Sequence, residues 1–99
     1  MLTIAELKER LAGKGFMFTG LNDFMMENMD TYSAFNENTD NAEEDECWAF
    51  YVGEDNYRNA TGEDGQDYIL VDYTVDRGDS VDNEFGHDFG LTVTGVSWL

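Results

Sequence analysis

The chain has 99 residues, enough for one domain, and its 22 acidic and 5 basic residues give a net charge of −17. That charge disfavours direct binding to nucleic acid, which needs Lys and Arg to displace counterions, and it disfavours anionic membrane surfaces. A hydrophobic content of 41% with 14% aromatic residues predicts a folded domain and not a disordered acidic tail. With a single cysteine, a charged N-terminal segment and no long apolar stretch, we expect a cytoplasmic protein without an intramolecular disulfide.

The N-terminal segment predicts a helix over residues 3–12. Thr3 and Glu6 have the spacing of a capping box, in which each side chain accepts a hydrogen bond from the other's backbone. The apolar residues of the segment recur on one helical stripe: Ile4, Leu7 and Leu11. Because this segment is close to neutral, two copies of the chain would meet here with little repulsion, and a homodimer through this helix is one hypothesis.

Shorter elements are predicted next. Residues 16–19 are typical of a short strand, and Asn22 or Asp23 is expected to cap a second helix that runs to Met29. The polar residues 32–46 favour a loop.

The next segments predict strands. Residues 47–52 are apolar throughout and too few for a helix, which predicts a central strand buried on both faces. Residues 54–66 are rich in turn formers. Residues 67–76 alternate in polarity, which predicts a half-buried strand with an acidic outer face.

The C-terminal part predicts a loop and a last strand. Residues 77–90 are rich in Asp and Gly and are expected to form the loop, and residues 91–98 form the strand. The apolar residues of that strand stand at odd positions before Gly95 and at even positions after it, which indicates a β-bulge. We therefore expect one α+β domain over residues 1–99, with one or two short helices packed on an antiparallel sheet of three or four strands.

Residues suited to catalysis or metal binding are few. His87 is the only histidine and lies in a glycine-flanked loop, where we expect it to be exposed, and Cys47 is expected to be a buried structural thiol. Two such residues are too few for a zinc site, and the acids from Asp76 to Glu84 lack the spacing of a calcium loop. We expect no enzyme activity, metal or cofactor; an enzyme or small-molecule binder would need a concave pocket with convergent polar groups.

The negative charge belongs to the body of the domain, since residues 15–99 contain 20 acidic and 2 basic residues. Seventeen charges equal those of about 8–9 base pairs of duplex DNA, a length of about 30 Å. A folded domain of this size has a radius of gyration near ~13 Å and so spans a similar distance. The charge therefore approaches that of a duplex of the same length.

Three interpretations of the charge are open. The first is mimicry of duplex DNA, in which carboxylates occupy a Lys- and Arg-lined groove after electrostatically steered association. The second is a solvation coat of the kind found in proteins that work at very high salt, on a domain with an unrelated binding function. The neutral first helix and the high aromatic content count against it. The third is an acidic adaptor that binds basic proteins of other kinds.

In size, acidity and mixed helix-and-sheet composition, the chain resembles the small acidic proteins that phages and mobile elements use against host defences. These include anti-CRISPR and anti-restriction proteins that imitate DNA. The resemblance includes no family-specific motif, so no site residue follows from it. It implies stoichiometric inhibition of a CRISPR effector or restriction enzyme in the host cytoplasm. The partner would be a positively charged nucleic-acid-binding protein.

The candidate binding residues lie in three acidic segments, residues 37–46, 54–67 and 72–88. Each carboxylate would replace a phosphate and pair with Lys or Arg of the target, and two tyrosines would anchor the contact. The predicted partner-binding residues are Glu43, Glu44, Asp45, Asp72, Asp76, Asp79, Asp82, Glu84, Tyr57 and Tyr68.

Overall fold

The computed structural model describes residues 2–29, 39–52, 68–83 and 86–98, and these form an α+β fold. Its four strands make one antiparallel sheet in the order β1-β4-β3-β2. The predicted fold class is confirmed, with a third helix added. The elements in chain order are α1 (Ile4–Leu11), β1 (Gly15–Met17), α2 (Phe18–Met29), α3 (Thr39–Asp45), β2 (Cys47–Tyr51), β3 (Tyr68–Asn83) and β4 (Gly86–Trp98).

Helix α1 forms as predicted. The Thr3 hydroxyl accepts from the Glu6 backbone N–H at 3.1 Å, and the Glu6 carboxylate accepts from the Thr3 N–H at 3.2 Å. Leu7 and Leu11 are fully buried. Because its apolar stripe points into the core, the helix presents charged residues to solvent. A homodimer through this helix stays a prediction.

Helix α2 begins at Phe18, so the expectation of strand for residues 16–19 is wrong at its last two residues. Asn22 and Asp23 lie within the helix and do not cap it, and Asn22 is buried. The first turn is capped instead by Asp88, whose carboxylate accepts from the Thr19 backbone N–H at 3.1 Å and the Thr19 hydroxyl at 2.6 Å. A cap so distant in sequence leaves no local signal.

The predicted loop over residues 32–46 contains helix α3, and so this prediction is wrong for Thr39–Asp45. Ala42 is fully buried, and its carbonyl accepts a hydrogen bond of 2.6 Å from the buried Tyr73 hydroxyl. A helix of this polarity is held by that tertiary contact more than by its own propensity. Glu46 then adopts a left-handed φ of 54°, which ends the helix before β2.

Strand β2 is not buried on both faces as predicted. Phe50 is buried, the three residues before it are half-buried and Tyr51 is exposed. Among the described strands, β2 pairs with β3 and lies at one end of the sheet order. An apolar run therefore did not indicate a central strand in this case.

Strands β3 and β4 form a long antiparallel pair, so the loop expected over residues 77–90 is wrong for residues 77–83 and 86–90, and residues 84–85 lie outside the described residues. Asp72 pairs with Gly95 and Tyr73 pairs with Val93, which leaves Thr94 as the extra residue. The predicted bulge at Gly95 is thus confirmed. A second irregularity separates the pairs Asp76–Gly90 and Val81–Asp88, where β3 has more residues than β4.

The core lies on one face of the sheet, which we call the inner face. On β3 the inner residues are Ile69, Val71 and Tyr73, all buried. Phe89 of β4 stacks on Phe18 of α2 with ring centroids 5.1 Å apart. The opposite, outer face carries the alternate residues of β3: Tyr68, Leu70, Asp72, Thr74 and Asp76. Within the described ranges, we find no helix whose length and apolar character would let it cross a bilayer.

Candidate functional site

The predicted binding residues of α3 are positioned by two hydrogen bonds between Glu46 and strand β3. The Glu46 carbonyl accepts from the Tyr73 N–H at 2.9 Å, and the Glu46 carboxylate accepts from the Val75 N–H at 3.2 Å. Together with the Tyr73 hydroxyl bond to Ala42, these contacts fix the orientation of α3. Glu44 and Asp45, which follow Ala42, are exposed.

An acidic groove lies between α3 and β3, with a volume of about 370 Å³. Among the described residues, those that line it are Glu43, Glu44, Glu46, Val75 and Ser80. The Ser80 hydroxyl donates to a Glu43 oxygen at 3.4 Å. A groove with three carboxylates and an apolar residue attracts cations and suits the side chain of Lys or Arg.

The next two predicted residues, Asp72 and Asp76, lie on the outer face of β3. Asp76 is exposed, and one of its oxygens accepts from the Thr92 hydroxyl at 3.3 Å. Asp72 is half-buried, and its cross-strand neighbours are Cys47 and Gly95. A Cβ atom placed on Gly95 would lie 3.5 Å from an Asp72 oxygen.

The structure therefore divides the predicted carboxylates between two faces. Val75 lines the α3 groove, and Asp76, the next residue of the strand, points the opposite way. One flat partner surface cannot contact both sets at once. A partner that reaches both sets has to wrap around the pair β3–β4.

The other predicted residues stand as follows. The backbones of Asp79 and Asp82 belong to β3, but these two side chains are outside the described part of the structure, as are the whole of Glu84 and Tyr57. Tyr68 is 41% exposed and packs edge-on against Tyr51, with ring centroids 5.3 Å apart. Its exposure suits the role of an aromatic anchor.

Two residues in the acidic segments have roles that the sequence did not indicate. Glu46 was not among the predicted residues, although its backbone and carboxylate both hold α3 against β3. Asp88 is 5% exposed and accepts hydrogen bonds within the fold, so its carboxylate is not available for the predicted contacts with a partner. For neither residue did the local sequence carry a signal.

The structure corrects the expectations for the two residues that were considered for catalysis, His87 and Cys47. His87 lies in β4 and not in a loop, which corrects the expectation for its backbone. Cys47 is a free, half-buried thiol, whereas full burial was expected. Burial raises the pKa of the Cys47 thiol, and the carboxylates of Asp72 and Asp45 raise it further. Such a thiol is a poor nucleophile at neutral pH.

Metal ligation was also considered for the acidic groups. In the part of the chain that the structure describes, no three His, Cys, Asp or Glu side chains converge as ligands.

Comparison with known proteins gives no relative. The chain matches no protein-family model, no curated protein and no solved structure.

Proposed function

We propose that this protein is a stoichiometric inhibitor that mimics the charge of DNA and occupies the nucleic-acid-binding surface of a host defence protein. The target would be a CRISPR effector or a restriction enzyme. The supporting observation is a net charge of −17 on a body with a longest dimension of 41 Å. A duplex of that length carries about 24 phosphates, so the protein reaches about 70% of the linear charge density of DNA.

Exposed carboxylates on both faces of β3 support a groove-binding mode. Asp76 is exposed on the outer face and Glu44 on α3, so carboxylates reach solvent on both sides of β3. Basic residues in a DNA-binding groove likewise contact phosphates from more than one side. Association through such charges is fast at low salt and slows as salt screens the field.

The experiment is affinity capture from a bacterial lysate with the tagged protein, followed by washes of rising salt and elution with duplex DNA. Any captured DNA-binding protein is then purified, and its binding to a labelled duplex is measured by fluorescence anisotropy with increasing inhibitor. We expect the duplex to be fully displaced at one inhibitor molecule per target molecule, because each inhibitor occupies one nucleic-acid-binding surface. A partner that binds the inhibitor and the duplex together would contradict the proposal.

Matched charge variants separate a placed acidic surface from net charge alone. The first variant reverses the β3 acids with Asp76→Lys, Asp79→Lys and Asp82→Lys. The control has the same net charge and reverses three exposed helix acids with Glu9→Lys, Asp23→Lys and Glu27→Lys. We expect the first variant to lose inhibition and the control to retain most of it. Equal losses would favour a non-specific acidic coat or an acidic adaptor.

A further inference from the structure

Helix α2 carries an exposed methionine beside a buried asparagine. Met26 is 47% exposed, whereas Met25 and Met29 of the same helix are fully buried. Met17, the remaining methionine of the described ranges, is half-buried. Within those ranges, Met26 is therefore the methionine side chain that solvent reaches most readily.

The buried neighbour is Asn22, which lies one turn before Met26 and is 6% exposed. Its Nδ2 group donates to the Met26 sulfur at 3.6 Å, and this hydrogen bond is weak because a thioether is a poor acceptor. Its Oδ1 atom is buried and accepts no hydrogen bond within the described ranges. A buried amide normally has stronger partners, since unsatisfied polar groups destabilise a fold. A stronger acceptor at the Met26 sulfur would therefore improve the hydrogen bonding of Asn22.

Oxidation of the sulfur to a sulfoxide supplies such an acceptor. The added oxygen can come within hydrogen-bond distance of the Asn22 Nδ2 group by a small rotation of the flexible Met26 side chain. The change costs little at this position, because a polar atom on a half-exposed side chain is not removed from water. Met25 and Met29 belong to the core, where the same oxidation would bury the added oxygen.

The negative charge of the chain favours a neutral oxidant. Asp23 and Glu27 are exposed on the same helix, and the whole chain carries a net charge of −17. The resulting field repels anionic oxidants, whereas hydrogen peroxide is uncharged and approaches without that repulsion.

We propose that Met26 is a site of reversible oxidation by hydrogen peroxide, and that Asn22 holds the oxygen of the resulting sulfoxide. A lone pair of the sulfur attacks one peroxide oxygen, the O–O bond breaks, and the second oxygen takes the proton of the first and leaves as water. The sulfur is oxidised by two electrons and the peroxide is reduced. Methionine sulfoxide reductases restore the thioether, so the modification is reversible. It needs no basic partner and is independent of the proposed function.

The first test is peroxide treatment of the full chain, followed by mass spectrometry of its peptides. Every sample carries Cys47→Ser, so that oxidation of the thiol does not contribute. We expect Met26 to be oxidised several times faster than the adjacent Met25, because a buried sulfur reacts only when the fold opens. In urea the two rates should become equal, which is the control. Equal rates in the folded protein would overturn the assignment of the site.

The second test measures the role of Asn22 by thermal unfolding before and after oxidation. With Asn22 present, oxidation at Met26 should not lower the thermal midpoint, because the Nδ2 group gains a stronger acceptor. Asn22→Leu removes that donor, and its midpoint should fall on oxidation. Met26→Leu is the control, and the same peroxide treatment should leave its midpoint unchanged. An equal change on oxidation with and without Asn22 would refute the role of Asn22.

The side-chain amide of Asn22 gives the same information by NMR if Asn22→Leu does not fold. Its NH₂ protons should move downfield on oxidation, because a sulfoxide oxygen accepts a stronger hydrogen bond than a sulfur does. The control is the side-chain amide of Asn28, which donates to the Phe24 carbonyl at 2.9 Å and should not move. An unshifted Asn22 signal in protein oxidised at Met26 would refute the contact.

Discussion

Replacement of Asp88 by alanine should destabilise the fold strongly, although the residue lies in the same acidic segment as the exposed Asp76. Its carboxylate accepts three hydrogen bonds: from the Thr19 N–H at 3.1 Å, the Thr19 hydroxyl at 2.6 Å and the Phe89 N–H at 3.0 Å. Asp88 is 5% exposed, so water cannot readily replace it. The variant leaves three donors without this acceptor, one at the buried Phe89 and two at the half-buried Thr19.

The expected magnitude follows from those three donors. An unsatisfied buried donor costs about 1–3 kcal/mol, so the lower end for each gives a loss of about 3 kcal/mol. For a domain near 100 residues this lowers the midpoint of thermal unfolding by about 12–24 °C. It is also a large part of the typical total stability of about 5–15 kcal/mol. Asp88→Asn keeps one acceptor oxygen and should fall between alanine and wild type.

The assay is thermal and urea unfolding followed by circular dichroism, with Asp76→Ala as the matched control. Both alanine variants remove one negative charge, so the relief of overall repulsion is the same. Asp76 is exposed, and its loss should change the free energy of unfolding by no more than about 0.5 kcal/mol. If the free energies of unfolding of Asp88→Ala and Asp76→Ala differ by less than about 0.5 kcal/mol, Asp88 does not cap helix α2.

Three further predictions concern the bulge, helix α3 and helix α1. Deletion of the bulge residue Thr94 should remove the bulge and leave Gly95 opposite Asp72 and Val96 opposite Val71, so Val96 should stay buried. Urea unfolding should therefore show a smaller loss of stability than the loss of about 1.5–3 kcal/mol expected if Val96 were turned outward, and a loss of that size would contradict the register. Tyr73→Phe removes the 2.6 Å hydrogen bond to the Ala42 carbonyl and should cost about 1–3 kcal/mol by the same assay; an unchanged midpoint would contradict this contact. The Thr3 backbone N–H lowers the pKa of Glu6 below 4.5, so the stability advantage of wild type over Glu6→Gln should be full above pH 4.5 and vanish as pH falls through the lowered pKa. A difference in thermal midpoint that persists at about pH 2 would refute this assignment.

Local chemistry was sufficient to predict several elements. The capping box and the Leu7–Leu11 stripe indicate helix α1 because both signals operate within two turns. Alternating polarity indicates β3, and the parity change at Gly95 indicates the bulge, because the side-chain period of a strand is two residues. Composition likewise established the dense negative charge, which depends on no fold.

Tertiary structure decided the elements whose support comes from distant residues. Helix α2 begins at Phe18 because Asp88 caps it, and α3 is helical where polar composition favoured a loop because Ala42 docks on Tyr73. A hydrogen-bond partner far along the chain has no counterpart in any local window, so neither start could be predicted.

The proposed binding surface shows the same division. The sequence determined that β3 alternates inner residues with outer carboxylates, and so it placed Asp76 on the solvent face. Only strand pairing could bring Gly15 and Gly90 beside that carboxylate, because cross-strand neighbours are set by register and not by spacing along the chain. The number of charges was therefore a property of the sequence, while the face that each carboxylate occupies and the space around it were properties of the fold.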